Sequence, residues 1–255
     1  MAGLAGAKRI VVKLGSSLLT DLEKGEPRFD MFERIAADVA VLADDGVEVV
    51  LVSSGAVSIG RRALKLPAGR LSLEQKQAAA AAGQTHLAEV WRDALGRRGR
   101  IAAQTLVTIG DTETRRRWLN ARETFATLLS LGAVPIINEN DTVATDEIRY
   151  GDNDRLAARI AAMVDADALV ILSDVDGLCT ADPSRDPDAK LIELVEEITE
   201  EIEALAGGVG AAGTGTGGMA TKIAAARIAT EAGCAAAIAC GERETPIVRL
   251  MKPGV

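Results

Sequence analysis

Aromatic side chains are scarce: Phe, Trp and Tyr together make up 2% of the 255 residues. The interior must therefore be built from Ala, Val, Ile and Leu, and the chain lacks the ring platforms on which exposed bases stack. Positive charge is also in deficit, with 29 Lys and Arg against 37 Asp and Glu and a formal net charge of −8. That balance argues against nucleic acid as a partner, because phosphate backbones are bound through released counterions and basic side chains. An anionic ligand has to be held by a local focus of cations, not drawn in from a distance. Only three cysteines occur, Cys179, Cys234 and Cys240, and no two form a C-x-x-C pair. They read as small buried apolar side chains in a reducing compartment. The single histidine, His86, lies beside the apolar stripe of a helix and reads as structural, and no Ser-His-Asp or Cys-His arrangement is evident. No apolar run approaches the roughly 18 residues of a membrane span. Lys8, Arg9 and Lys13 interrupt the N-terminal segment before it can form a signal-peptide core. The expectation is a cytoplasmic protein with no membrane contact.

What is present is a regular alternation. With 48% hydrophobic and 26% charged residues the composition is that of a globular chain long enough to bury a full core. Near-continuous apolar runs occur at "RIVVKL", "VEVVLV", "IAAQTLVT", "AVPIIN", "ALVILS" and "CAAAIAC". Such runs suit strands covered on both faces. Between them lie helical stripes: Phe32, Ile35, Ala36, Val39, Leu42 and Ala43; then Leu87, Val90, Trp91, Ala94 and Leu95; then Leu156, Ile160, Met163 and Val164. The pattern predicts an α/β fold, a three-layer αβα sandwich around a central, mainly parallel sheet. No repeat or proline-rich linker divides it, so residues 1–255 read as one domain.

Ligands of open parallel sheets bind beyond the carboxyl ends of the strands, and there the sequence changes character. "RIVVKL" is followed by "GSS", "VEVVLV" by "SSGAVSIG", "AVPIIN" by "ENDTVATDEIRYGDND" and "ALVILS" by "DVDGLCTADP". Each cluster alone is ordinary turn chemistry. Together they ring one sheet edge with hydroxyl, glycine and acidic groups.

The stretch "GAAGTGTGGMATK", residues 210–222, combines bare backbone with one lysine. It contains G-x-G-x-x-G, but a dinucleotide fingerprint has to leave a strand, and the preceding "EEITEEIEALAGGVG" reads as an acidic helix entering a loop. It is no P-loop either, because Met219, Ala220 and Thr221 separate Gly218 from Lys222. A hinge remains one reading; a glycine loop offering N–H groups and a first-turn lysine to a phosphate chain is the other. Lys13 poses a matching question. It lies in an apolar strand, where a lysine is costly unless an anion compensates it or its stem snorkels to solvent. A cation in a helix's first turn, as at Lys222, is mildly disfavoured unless it serves an anion there.

The ordered set "VVKLGSSLLT", "VSSGAVSIG", "LNARETF", "PIINENDTVAT", "GDND", "LSDVDGL", "TADP" and "GTGTGGMATK" resembles the amino-acid kinase superfamily. The match runs from about Ile10 to about Gly241, and N-E-N-D with G-D-N-D is similar to the glutamate 5-kinases within it. The resemblance implies transfer of the γ-phosphoryl of ATP, with Mg²⁺, to the side-chain carboxylate of L-glutamate, in proline biosynthesis. It implies catalytic roles for Lys13, Lys222 and Asp154, with Asp154 holding both ammonium groups. It matches Ser54, Gly55, Asp141 and Asn153 to glutamate binding. It matches Lys13, Gly15, Ser173, Asp174, Thr216, Gly217, Gly218, Met219, Ala220, Thr221 and Lys222 to ATP binding. No protein ligand is assigned to the metal. It further implies feedback inhibition by proline, a homo-oligomer (dimer or tetramer), and hand-off of the product to a glutamyl-phosphate reductase. Alternatives are an N-acetylglutamate or nucleoside-monophosphate kinase, or a catalytically silent amino-acid sensor on the same fold. Two features depart from the family pattern. Cys179 stands where many relatives carry an aromatic residue, and the chain stops at "RLMKPGV", before the RNA-modification-type (PUA) domain of larger relatives and before the last expected strand.

Overall fold

A computed structural model describes residues 4–143, 153–183, 186–207 and 218–252. Strand β1 (Arg9–Leu14) leads through the short helix α1 (Ser16–Leu19) and a hairpin, β2 (Thr20–Asp21) and β3 (Glu26–Pro27), into α2 (Phe29–Asp44). β4 (Glu48–Ser53) is followed by α3 (Ala56–Ala63) and α4 (Leu73–Gly96), and β5 (Ile101–Val107) by α5 (Ile109–Glu113) and α6 (Arg115–Ser130). Then come β6 (Ala133–Glu139), α7 (Asn153–Met163), β7 (Ala168–Ser173), α8 (Glu200–Leu205), α9 (Met219–Glu231), β8 (Ala235–Cys240) and α10 (Val248–Met251). All six apolar runs form strands within a residue or so of their expected limits.

These six strands make one sheet in the order β5-β6-β4-β1-β7-β8. Every pairing in it is parallel, with Leu14 in register with both Ser53 and Leu172. Because side chains alternate across a strand, β1 sends Ile10, Val12 and Leu14 to one face and Val11 to the other. The first face packs on α2, α4 and α10, the second on α6, α7 and α9. The three expected stripes are the buried faces of α2, α4 and α7, apart from the half-buried Ala43. Two of the few aromatic residues meet in the first core, where the Phe32 and Trp91 rings stand edge to face at 4.6 Å. Such a geometry adds roughly 0.5–1.5 kcal/mol to area burial.

The consequence for function lies at the strand ends. A fully parallel sheet delivers the carboxyl ends of all its strands to one edge, so the described residues of the polar clusters after β1, β4, β6 and β7 start there; residues 144–152 of the cluster after β6 lie outside the described residues. Helix α3 is held close to this edge by an unusually tight contact. A Cβ added at Gly60 would lie 1.7 Å from the Ala79 carbonyl oxygen, and one at Gly83 would lie 1.9 Å from that of Ala56. Backbone meets backbone there, which no side chain permits.

Candidate active site

The charged half of the site begins at β1. Alternation turns the Lys13 side chain towards α7, and its Nζ lies 2.6 Å from Asp154 Oδ1. Lys13 is 6% exposed and Asp154 2%, so the snorkelling alternative fails and the lysine is compensated by a buried carboxylate. Asp154 lies in the first turn of α7, and its Oδ2 accepts a 2.8 Å hydrogen bond from the Thr221 hydroxyl on α9. One residue further along α9, Lys222 is 5% exposed. Burial pushes its ammonium pKa down; the Asp154 and Asp174 carboxylates oppose that shift and the Lys13 ammonium reinforces it. The two lysines, from opposite ends of the sequence, therefore share one electrostatic environment centred on Asp154. Gly15 adjoins it, since a Cβ there would lie 3.8 Å from Lys13 Nζ. At the end of β7 the buried Ser173 hydroxyl donates to Asp174 Oδ1 at 2.9 Å, while Asp174 itself is exposed. Gly218 precedes α9 in extended conformation, and Met219 and Ala220 lie half-buried in its first turn. Thr216 and Gly217 lie outside the described residues.

The second half is built from neutral groups. Ser54 leaves β4 and accepts a 2.7 Å hydrogen bond from Asn153 Nδ2 at the start of α7. Gly55 follows with φ +111, a left-handed conformation that favours glycine, and turns the chain into α3. Asn153 Nδ2 also donates to Asn138 Oδ1 at 3.0 Å, and Asn138 Nδ2 donates to Gln84 Oε1 at 2.8 Å. Gln84, Asn138 and Asn153 are all at least nine-tenths buried. Asp141, after β6, is half-buried, and burial pushes its carboxyl pKa up to about 6. A cavity of about 620 Å³ opens between α4, β5 and the end of β6, with Gln84, Gln104, Glu139 and Asp141 among its walls. It adjoins the amide half, and the lysines are not among its described walls.

The structure thus gathers Lys13, Lys222, Asp154, Thr221, Ser54, Asn153, Gly15 and Gly55 around the β1, β4, α7 and α9 ends, with Asp141, Ser173 and Asp174 at neighbouring strand exits. Sequence reasoning missed Asn138 and Gln84. Asn138 reads as the last residue of an apolar strand. Gln84 carries a signal that was there to use: it stands three residues before Leu87 and seven before Trp91, on the buried stripe of α4. Two expectations need correction. His86 is exposed, 3.7 Å from Glu89, and lies outside the core. Only Cys234 of the three free cysteines is buried; Cys179 and Cys240 are partly exposed. Among the described residues no helix is long and apolar enough to cross a membrane.

The sequence profile of the amino acid kinase family matches residues 8–240. Glutamate 5-kinase of Paramagnetospirillum magneticum (strain ATCC 700264 / AMB-1) is 59% identical over 247 residues, which cover 97% of this chain and 66% of that protein. Glutamate 5-kinase 1 of Rhizobium meliloti (strain 1021) is 56% identical over 247 residues, covering 97% and 62%. The chain therefore spans a little under two thirds of the length of these relatives. Among solved structures, T. acidophilum isopentenyl phosphate kinase in a product complex superposes with a TM-score of 0.62 at 16% identity, over 96% of this chain and 97% of that one. UMP kinase from Bacillus anthracis gives 0.60 at 17% identity, over 93% and 88%. Those two likenesses speak to the fold. Taken with the profile match over nearly the whole chain, they leave one assignment: the chain belongs to the amino acid kinase family.

Proposed function

We propose that this chain is a single kinase domain that moves the γ-phosphoryl of ATP to the side-chain carboxylate of L-glutamate, giving L-glutamyl 5-phosphate and ADP. The observation that carries the reading is the meeting of Lys13 and Lys222 at the buried Asp154. The names of the relatives, glutamate 5-kinases at 56–59% identity, support the choice of acceptor.

The chemistry asks for what these residues offer. A glutamate side chain, with a reference pKa of about 4.3, is already ionised at neutral pH, so no general base is required. A carboxylate oxygen attacks the γ-phosphorus, and the bond to the β–γ bridging oxygen breaks. ADP leaves with that electron pair. The barrier is the approach of two anions, and positioning with charge stabilisation has to lower it. Lys13 and Lys222 flank the migrating phosphoryl group in this reading, and Asp154 keeps their ammonium groups near each other. Gly15, Ser173, Asp174 and the segment from Thr216 through Gly217, Gly218, Met219, Ala220 and Thr221 to Lys222 receive the nucleotide. Mg²⁺ bound with the nucleotide would be held largely by phosphate oxygens and water and would offset their charge; no ligand from the chain is assigned to it. On the acceptor side, Asp141 suits the α-ammonium, while Ser54, Asn153 and the backbone opened by Gly55 suit carboxylate and ammonium groups.

Asp141 also separates this reading from an N-acetylglutamate kinase, whose substrate carries no ammonium to meet a carboxylate. The same reading implies a reductase that takes over the labile acyl phosphate, feedback by proline, and a homo-oligomer. The test is a hydroxamate-trapping assay with Mg-ATP, run with L-glutamate, N-acetylglutamate and, for ADP release, UMP. Hydroxamate from L-glutamate at the highest kcat/KM is the expected result. Preference for either of the others sinks the assignment, and glutamate binding without ADP release makes the protein a sensor.

A further inference from the structure

The amide half of the site has a polarity, and its direction can be derived from one main-chain group. The Glu139 backbone N–H lies 2.9 Å from one side-chain atom of Asn138. A backbone N–H only donates, so that atom is the carbonyl oxygen Oδ1 and not the amide nitrogen. The assignment then propagates in both directions. The Asn153 atom 3.0 Å from Asn138 Oδ1 has to be a donor, Nδ2. The Gln84 atom 2.8 Å from Asn138 Nδ2 has to be an acceptor, Oε1. Asn153 Nδ2 spends its two protons on Asn138 Oδ1 and on Ser54 Oγ.

What is left over defines the subsite. Asn153 Oδ1 is buried and has no hydrogen-bond partner among the described residues, so Asn153 is fixed as an acceptor. Ser54, having accepted from Asn153, retains its own hydroxyl proton to give. An acceptor oxygen beside a hydroxyl donor is complementary to a protonated amine beside a carboxylate. Turning the amides over would reverse that order and present an N–H to the amine. A buried oxygen with no partner costs about 1–3 kcal/mol, and a ligand that fills it recovers this.

We propose that Gln84 is a positioning residue that holds this polarity in place. It touches no reacting atom. The Glu139 N–H selects the orientation of the Asn138 amide; by accepting from Asn138 Nδ2, Gln84 anchors the far side of that amide, and Asn138 in turn orients Asn153. The chain of amides thereby selects acceptors that carry an α-ammonium. This inference rests on the glutamate-phosphorylating function proposed above.

The experiment compares L-glutamate with glutarate, which has the carboxylates but no amine. Gln84→Met keeps the volume of the side chain and removes the acceptor; Gln84→Glu keeps an acceptor towards Asn138. In Gln84→Met the ratio of kcat/KM for glutamate over glutarate is expected to fall by about tenfold or more, because the site no longer holds its oxygen towards the amine. The change should appear in KM for glutamate, with KM for ATP unchanged. Gln84→Glu should keep the ratio within about threefold of the unaltered protein, a difference well under one hydrogen bond's worth of discrimination. A purely structural role lowers both acceptors in parallel, in both variants, and that outcome overturns the proposal. An unchanged ratio in Gln84→Met overturns it too. If Gln84→Met fails to fold, a collapsed ratio in Gln84→Glu counts against the proposal in its place. An unaltered protein that turns over no glutamate fails at the earlier step and takes both readings down. An active protein with a parallel loss removes only the positioning role.

Discussion

Lys13 and Asp154 are buried as a charged pair 2.6 Å apart, whereas Gln84, Asn138 and Asn153 cross the same depth of protein as a file of neutral amides. Both arrangements satisfy polar groups away from water, and they do so at different risk. A buried ion pair carries a large desolvation cost that only excellent geometry offsets, and removing one partner strands the other. An amide chain costs less to bury, but each member depends on the orientation of the next. The charged half is therefore suited to work on charge in transit, and the neutral half to discriminate between ligands by direction of hydrogen bonding.

The sharpest way to break the comparison is to remove the centre of the charged half. Asp154→Ala leaves the Lys13 ammonium buried without its carboxylate, and should lose about 3–5 kcal/mol of stability together with turnover. Denaturant unfolding at neutral pH measures the first, and ADP release the second. The double variant Lys13→Met with Asp154→Leu removes both charges and should recover most of the lost stability while remaining inactive. A double variant as unstable as the single one would mean that Asp154 supports the fold through Lys222 or Thr221 instead of through Lys13.

Next in size is Lys222→Ala. Here the expected loss is about 2 kcal/mol or more in activation free energy, read as kcat with saturating ATP and glutamate. Glutamate affinity, which the proposed function assigns to the amide half, should change little. Near-normal kcat in this variant would reduce the glycine-rich segment before α9 to a hinge and leave the charged half with one lysine.

The two halves also differ in how plainly the sequence displays them. A lysine inside "RIVVKL" and another in the first turn of "MATKIAAARIATEAG" break the character of their surroundings, and each by itself calls for a compensating anion. The sheet was equally legible, because six apolar runs with polar exits admit few topologies. Gln84 and Asn138 were not, since an amide on a buried stripe looks like a tolerated exception until its partner is known. That partner lies on another element: Gln84 on α4 meets Asn138 on β6, which meets Asn153 on α7. Pairings of that kind are set by how helices and strands stack, and local periodicity carries no record of them. The contact of Gly60 with the α4 backbone was hidden for the same reason.

The smallest expected effect concerns Asp141, the charged residue at the edge of the neutral half. Burial pushes its carboxyl up to about 6, so it is mostly ionised at pH 7 and mostly protonated at pH 5. If it receives the α-ammonium of glutamate, KM for glutamate should rise below pH 6 by up to about tenfold per pH unit. KM for ATP should stay flat over the same range. Asp141→Asn should show a high, pH-independent KM. The stability of the unliganded protein should respond in the opposite sense. A carboxyl whose folded pKa lies above its unfolded one contributes most below the unfolded value and loses that contribution as pH rises through about 6. Asp141→Asn should accordingly raise the melting temperature more at pH 7.5 than at pH 5, while weakening glutamate binding at pH 7.5. A group that costs stability when empty and strengthens binding when filled is what a ligand-facing carboxylate looks like. One that gained stability on ionising would instead belong to the scaffold.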